Sequence, residues 1–136
     1  MMKKELYRII DANFNRSREG LRVCEEVARF VWNCPTLTKD LKMARHSISS
    51  ILKDAPATVK ILSASRDSAN DVGRCGVSKS EMNRITYADI FSANIQRVKE
   101  SLRVLEEFFK LVDKKGSAKF TNLRFKIYEI EKKALK

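Results

Sequence analysis

Residues 11–31 read DANFNRSREGLRVCEEVARFV, and residues 92–112 read SANIQRVKESLRVLEEFFKLV. At a constant offset of 81 residues, ten of these 21 positions are identical. The shared polar positions are Asn13/Asn94, Arg16/Arg97, Glu19/Glu100, Arg22/Arg103, Glu25/Glu106 and Glu26/Glu107. The chain therefore carries a duplicated segment, and most of the positions that are identical in the two copies are polar.

Both copies have the apolar spacing of an amphipathic helix. One stripe consists of Phe14, Ser17, Leu21, Cys24, Ala28 and Val31, and the other of Ile95, Val98, Leu102, Leu105, Phe109 and Val112. We expect each stripe to pack against a common core.

The row beside each stripe is apolar only in its C-terminal half. Its other half begins with Asn13 and Arg16 in the first copy, and with Asn94 and Arg97 in the second. Burying a guanidinium without a partner costs several kcal/mol, so these arginines need either neighbouring carboxylates or a bound anion. We favour an anion site at which all four residues converge.

The other charged positions have an alternative interpretation, in which they stabilise the helices and bind no ligand. Arg16, Glu19, Arg22 and Glu26 follow one another at helical spacing, and such ladders stabilise exposed helices by roughly 0.2–0.5 kcal/mol per pair. For Glu19, Arg22 and the adjacent glutamates, the structural role is the expected one.

The rest of the chain repeats the helical plan. The pattern predicts a first helix over residues 3–32, ended by Asn33-Cys34-Pro35, and a second that starts near Thr36 or Thr38 and ends near residue 54. In the second half, Thr86 and Asp89 fit a capping box for a helix that reaches about Val112. A turn over residues 113–117 that includes Gly116 leads to the last helix. The second and last helices match best at an offset of 79, which superimposes Leu41, Ala44, Arg45, Ile48 and Ile51 on Phe120, Leu123, Arg124, Ile127 and Ile130.

These elements predict an all-α fold: an antiparallel four-helix bundle made of two duplicated helical hairpins. We expect a single domain over residues 1–136, with repeat halves at about 3–54 and 86–135. The central loop would cover about residues 55–85, with a short apolar run at 59–62. Ser78 and Glu81 have the spacing of a cap for a short fifth helix.

A connection of this length in a compact bundle is usually functional or disordered, and here we favour function. Glycines such as Gly73 leave backbone N–H groups free to face phosphate oxygens. Arg66 and Arg74 could clamp phosphate, while Asp67 and Asp71 could hold Mg²⁺. The loop is not a Walker motif.

Composition narrows the possible partners. The formal net charge is +11, which favours anionic ligands. The basic residues are spread along helices and mixed with glutamates, so nucleic acid is not the favoured partner. Three cysteines at spacings that fit no metal motif indicate reduced thiols in a cytoplasmic protein. We expect no signal peptide and no membrane segment.

Three segments in order resemble a known family: LYRIIDANFNRSREGLRVCEEVARFV, the loop with Arg66-Asp67 and Asp71-Val72-Gly73, and SANIQRVKESLRVLEEFFKL. They look like the small, second type of hydroxymethylpyrimidine-phosphate kinase of thiamine biosynthesis, which also occurs fused to thiamine-phosphate synthase. The resemblance covers nearly the whole chain and implies a standalone enzyme. It implies ATP-dependent phosphorylation of 4-amino-5-hydroxymethyl-2-methylpyrimidine phosphate to the diphosphate, with functional association with the synthase.

Phosphoryl transfer depends mainly on positioning and on neutralising phosphate oxygens. Combined with the resemblance, this assigns catalytic roles to Asp67, Asp71 and Arg97, with Mg²⁺ on the two aspartates. The residues expected to bind ATP or the pyrimidine phosphate are Asn13, Arg16, Arg66, Gly73, Arg74 and Asn94.

Two other classes of function remain open. The loop and the Arg/Glu-rich helix are also faintly similar to the ATP-binding bundles of cobalamin adenosyltransferases, which would need a large apolar pocket. A basic nucleic-acid or protein-binding module would need no ordered loop. A homo-oligomer is compatible with any of these functions.

Overall fold

The computed structural model describes residues 2–55, 59–74 and 83–136, and within these ranges every regular element is helical. The expected all-α fold is therefore confirmed. The elements are α1 (Met2–Glu26), which continues into a π-helical turn (Val27–Val31), α2 (Pro35–Asp54), α3 (Val59–Ala64), a 3₁₀ turn (Ser68–Asn70), α4 (Tyr87–Phe109) and α5 (Lys114–Ala134).

The core consists largely of the apolar stripes expected from the sequence. Phe14, Leu21 and Cys24 of α1 are buried, as are Ile95, Leu102, Leu105 and Phe109 of α4 and the matching residues of α2 and α5. Val31 was expected to continue the first stripe, but it is exposed. The π-helical turn widens the helix after Glu26: Val27 and Ala28 at its start stay buried, whereas Phe30 and Val31 at its end are exposed.

The four long helices form a ring in which α1 packs on α2 and α4, and α5 packs on the same two helices. Neighbours in the ring are antiparallel. Gly20 of α1 lies against Val98 of α4, whereas Cys24, one turn later, reaches back to the carbonyl oxygen of Phe91. Because α1 is antiparallel to both α2 and α4, these two helices run in the same direction.

This topology explains the long connection between the hairpins. The 20 residues of α2 span roughly 30 Å at 1.5 Å per residue, and the chain must return over that length before α4 can start. The apolar run at 59–62 lies in α3, which packs on α1 and buries Leu62 in the core. The cap expected at Ser78 and Glu81 lies outside the described residues.

The duplication is visible in two equivalent ion pairs, each between a buried glutamate and a half-buried arginine. Arg45 of α2 lies 3.3 Å from Glu25 of α1, and Arg124 of α5 lies 3.3 Å from Glu106 of α4. Burial raises the pKa of Glu106, but a hydrogen bond with Thr121 and the charge of Arg124 outweigh it, so the pKa lies below its ordinary value. The structural role expected for these glutamates is confirmed.

Only some of the helix starts agree with those predicted from the sequence. The capping box at α4 is present: Thr86 Oγ1 accepts the N–H of Asp89 at 3.0 Å, and the Asp89 carboxylate accepts the N–H of Thr86 at 2.9 Å. The expected threonine cap of α2 is wrong, because Pro35 itself opens that helix and Cys34 is the capping residue.

The turn before the last helix also lies earlier than expected, because α4 ends at Phe109 and α5 begins at Lys114. Asp113 caps α5 by accepting the N–H of Lys115 at 3.1 Å, so Gly116 belongs to the first turn of the helix. A Cβ on Gly116 would lie 2.6 Å from the Phe109 ring, so the glycine is required for close packing rather than for a turn.

None of the helices in the described ranges combines the length and the apolar character that a bilayer crossing requires.

Candidate active site

The paired asparagines are held in the same way in both copies. Asn13 Nδ2 donates to the carbonyl oxygen of Ile9, and Asn94 Nδ2 donates to that of Ile90, each at 2.8 Å. Each side chain is thus tied to the preceding turn of its own helix. This leaves Oδ1 as an acceptor, and Arg16 Nη1 donates to Asn13 Oδ1 at 3.4 Å.

The two repeated helices cross closely beside these residues. A Cβ on Gly20 would lie 2.7 Å from Val98 Cγ2 and 3.1 Å from the Asn94 carbonyl oxygen, so only glycine fits at this contact. Its equivalent in the other copy is the small residue Ser101, which is buried. The crossing therefore brings the polar halves of both repeats together.

A groove of about 420 Å³ lies at this crossing, and we call it the crossing groove. Its lining residues come from both copies of the repeat: Asn13, Arg16, Glu19 and Gly20 from α1, and Asn94, Arg97, Glu100, Ser101 and Val104 from α4. The four residues expected to converge on one site do line one groove.

The arginines of this groove are not buried, contrary to expectation. Asn13 is buried and Asn94 half-buried, but Arg16 and Arg97 are both exposed. A long side chain that starts beside the core can still place its guanidinium in water, which avoids the cost of burial. Within the described ranges Arg97 makes no ion pair or hydrogen bond, so its donors are available to a ligand.

A second groove, of about 850 Å³, lies between the N-terminal half of α1 and the start of the central connection, and we call it the loop groove. It is lined by Glu5, Arg8, Ile9, Asp11, Ala12, Asn13, Asn15, Arg16, Glu19, Arg66, Asp67, Ser68 and Asp71. Asn13, Arg16 and Glu19 line both grooves, which makes the two continuous along α1.

Arg66 is anchored to a residue that the sequence did not single out. Its Nε and Nη2 donate to the two carboxylate oxygens of Asp11, each at 2.8 Å, and Asp11 is buried. This bidentate hydrogen bond raises the pKa of Arg66 above its ordinary value. Arg66 thus holds the connection against α1, which differs from the free phosphate clamp expected.

The two loop aspartates differ in their surroundings. Both carboxylate oxygens of Asp67 accept from Asn70 Nδ2, at 3.1 and 3.0 Å, and this hydrogen bond lowers the pKa of Asp67. Asp71 is exposed, and its Oδ1 accepts the N–H of Gly73 at 2.9 Å.

The described ranges hold no cluster of three or more His, Cys, Asp or Glu side chains that could bind a metal. Mg²⁺ is commonly bound by one or two carboxylates together with substrate phosphates. The carboxylates of Asp67 and Asp71 fit this arrangement, in which substrate phosphates would complete the coordination of the metal.

Gly73 and Arg74 do not line either groove. Both are exposed, and Gly73 serves as a backbone donor to Asp71. By contrast, Glu19, for which a structural role was expected, lines the crossing groove, as does its repeat equivalent Glu100. Their position in the repeat, one turn after the arginines, is the signal that could have assigned them to the site.

Comparison with known families matches residues 8–133 to the ThiD2 family. The thiamine-phosphate synthase of Synechocystis sp. is 40% identical over 124 residues, which cover 91% of this chain and 34% of the synthase. That of Nostoc sp. is 36% identical over 130 residues, covering 96% of this chain and 35% of the synthase. The synthase of Rhodopirellula baltica is 36% identical over 125 residues, covering 92% and 33%.

This chain therefore spans about a third of the length of these curated relatives. No solved structure matches it. The family match extends from α1 to the end of α5 and includes both copies of the repeat and the connection between them. The chain belongs to the ThiD2 family.

Proposed function

We propose that this chain uses ATP to phosphorylate 4-amino-5-hydroxymethyl-2-methylpyrimidine phosphate to the diphosphate, as a step of thiamine biosynthesis. Membership of the ThiD2 family supports the proposal, as do relatives named thiamine-phosphate synthase in which a similar segment forms about a third of the chain. A functional association with a thiamine-phosphate synthase belongs to the same proposal.

The observation that carries the proposal is the convergence of Arg16 and Arg97 on one groove that continues into a second groove bearing Asp67 and Asp71. A reaction between two phosphorylated molecules needs cationic donors for both the transferred group and the acceptor. Two arginines from separate helices meet that need.

The loop aspartates would hold Mg²⁺, which would neutralise charge on the nucleotide phosphates. Both side chains line the loop groove, and carboxylate oxygens are ligands that Mg²⁺ commonly takes together with substrate phosphates. The acceptor is a phosphate that already carries negative charge, so the reaction needs no side chain to remove a proton from a hydroxyl.

The lining of the grooves bears on the alternative functions. Both are lined mainly by charged and polar side chains, whereas an adenosyltransferase of the cobalamin type would need a large apolar pocket for its second substrate. The charges of the two grooves are mixed in sign, unlike the basic stripe that a nucleic-acid-binding surface presents.

The test is ADP formation by the purified chain with Mg²⁺, ATP and a panel of acceptors. We expect ADP and a pyrimidine diphosphate in equal amounts with the pyrimidine monophosphate. Pyrimidine nucleoside monophosphates should give little of either. Release of inorganic triphosphate would instead identify adenosyl transfer, and absence of any ATP-derived product would contradict the proposal.

A further inference from the structure

We infer that the two grooves divide the substrates: the loop groove takes the Mg²⁺ complex of the nucleoside triphosphate, and the crossing groove takes the aminopyrimidine phosphate. Arg16 lines both grooves and so lies where the reacting phosphates would meet. This inference rests on the proposed function.

The sizes of the grooves agree with this assignment. The loop groove, at about 850 Å³, has twice the volume of the crossing groove, at about 420 Å³. A nucleoside triphosphate carries a purine, a ribose and three phosphates, whereas the acceptor is one substituted ring with one phosphate. The larger ligand therefore fits the larger groove.

The charges of the loop groove favour an anion that arrives with a metal. Its lining includes five carboxylates and three arginines, and one of those arginines, Arg66, is already paired with Asp11. A bare triphosphate would be repelled by the remaining carboxylates, while a bound divalent cation reverses that interaction. Asp67 and Asp71 line only this groove.

The crossing groove has the donors and acceptors that an aminopyrimidine phosphate requires. Arg97 is exposed and without a described partner, so it can donate to a phosphate. The carboxylate of Glu100 and the Oδ1 atom of Asn94 can accept from an exocyclic amino group. Arg97, Glu100 and Asn94 line only this groove.

With this placement, the transfer is a single displacement at the γ-phosphorus. An oxygen of the acceptor phosphate forms a bond to that phosphorus, and the bond to the β–γ bridging oxygen breaks. ADP leaves with the electron pair of the broken bond. Arg16 can donate to the transferred group from its position between the two grooves.

Calorimetric titration of single-groove variants tests the division. The nucleotide probe is the imido analogue of ATP with Mg²⁺, and the second probe is the pyrimidine monophosphate, each titrated alone. Arg97→Gln should weaken binding of the pyrimidine phosphate by about tenfold or more and leave nucleotide binding unchanged, because a charge-assisted hydrogen bond is lost. Asp67→Asn should show the opposite pattern.

Arg103→Met is the matched control, because Arg103 is an exposed arginine of α4 whose partners are Glu106 and Glu107, outside both grooves. It should bind both probes as the parent does. Circular dichroism confirms that each variant is folded, and Arg97→Lys provides a second substitution at the same site.

Three results would overturn the inference. Weaker nucleotide binding by Arg97→Gln would place the nucleotide in the crossing groove, an equal loss of both ligands would show one shared site, and unchanged affinities would place the pyrimidine elsewhere. In each case ADP formation by the parent would leave the proposed kinase activity standing. A parent that binds both probes as assigned but forms no ADP would instead contradict the proposed activity alone.

Discussion

At the scale of single residues, the contact between Asp11 and Arg66 decides how the connection lies on the bundle. Asp11 is buried in α1, and its two carboxylate oxygens are both occupied by Arg66. The repeat could not reveal this pair, because the second copy has Ser92 at the equivalent position. A contact made once, between residues 55 positions apart, leaves no periodic signal in the sequence.

Replacing Arg66 by Met should destabilise the protein, because it leaves the buried carboxylate of Asp11 without its cation. We expect a measurable loss in the free energy of unfolding, limited by the partial exposure of Arg66 to water. Urea denaturation measures this change in the free energy of unfolding. The control is Arg74→Met in the same segment, which should change stability by less than about 0.5 kcal/mol. Equal effects of the two substitutions would contradict the anchoring role.

At the scale of helices, the repeat identifies equivalent positions correctly. The offsets of 81 and 79 make Glu106 the equivalent of Glu25 and Arg124 the equivalent of Arg45, and the structure pairs Arg45 with Glu25 and Arg124 with Glu106. The sequence predicted less well where a helix end depends on local backbone geometry. The start of α2 at Pro35 and the π-helical turn after Glu26 follow from interactions that the apolar period does not encode.

The buried pair at Glu106 predicts a pH dependence. Its pKa in the folded state lies below the ordinary value of 4.5, so the folded state holds fewer protons than the unfolded chain. The stabilisation is complete above pH 4.5 and is lost as the pH falls through the folded-state pKa. Urea denaturation at a series of pH values should show a shallower loss in Glu106→Gln than in the parent.

The matched substitution for this experiment is Glu107→Gln, one position along the same helix and about half exposed. We expect its pH profile to follow that of the parent. A profile for Glu106→Gln as steep as the parent's would show that other groups account for the acid sensitivity.

The close crossing of α1 and α4 predicts that Gly20 tolerates no side chain. In Gly20→Ala the new Cβ would lie 2.7 Å from Val98 Cγ2, so one helix has to move. Overpacking of this kind costs about 1–3 kcal/mol, measurable as a shift of the urea midpoint. Adding Val98→Ala should recover part of the loss by removing the clashing methyl group.

Gly73→Ala is the corresponding control, because a Cβ there would meet only Asp71 Oδ1, at 3.4 Å. Its stability should stay close to that of the parent. If Gly20→Ala were equally harmless, the two helices would have room to separate at the groove.

At the scale of the whole molecule, the duplicated stripes were sufficient to predict a bundle of two hairpins, because burial of apolar faces dominates the packing of helices. The sequence also predicted that Asn13, Arg16, Asn94 and Arg97 would share one site, and they line one groove. It did not predict that the arginines would lie at the surface, since periodicity gives the direction of a Cα–Cβ bond but not the reach of a long side chain.

Under the proposed function, the duplication would help one chain to bring together two phosphorylated substrates. Each copy supplies one arginine to the crossing groove, and the unduplicated connection adds the aspartates of the loop groove. Two similar helices and one unduplicated connection thus form a site that is asymmetric. We propose that this site transfers a phosphoryl group and that Arg16, which lines both grooves, takes part.

Single-turnover transfer of a radioactive γ-phosphoryl group from ATP to the pyrimidine monophosphate tests both parts of this proposal. The parent and Arg22→Met should place the label in the terminal phosphate of the pyrimidine diphosphate at equal rates, because Arg22 lies outside both grooves and pairs with Glu25 and Glu26. Arg16→Met should transfer it about a hundredfold more slowly. Label that never reaches a pyrimidine product, or transfer by Arg16→Met at the parent's rate, would contradict the proposal.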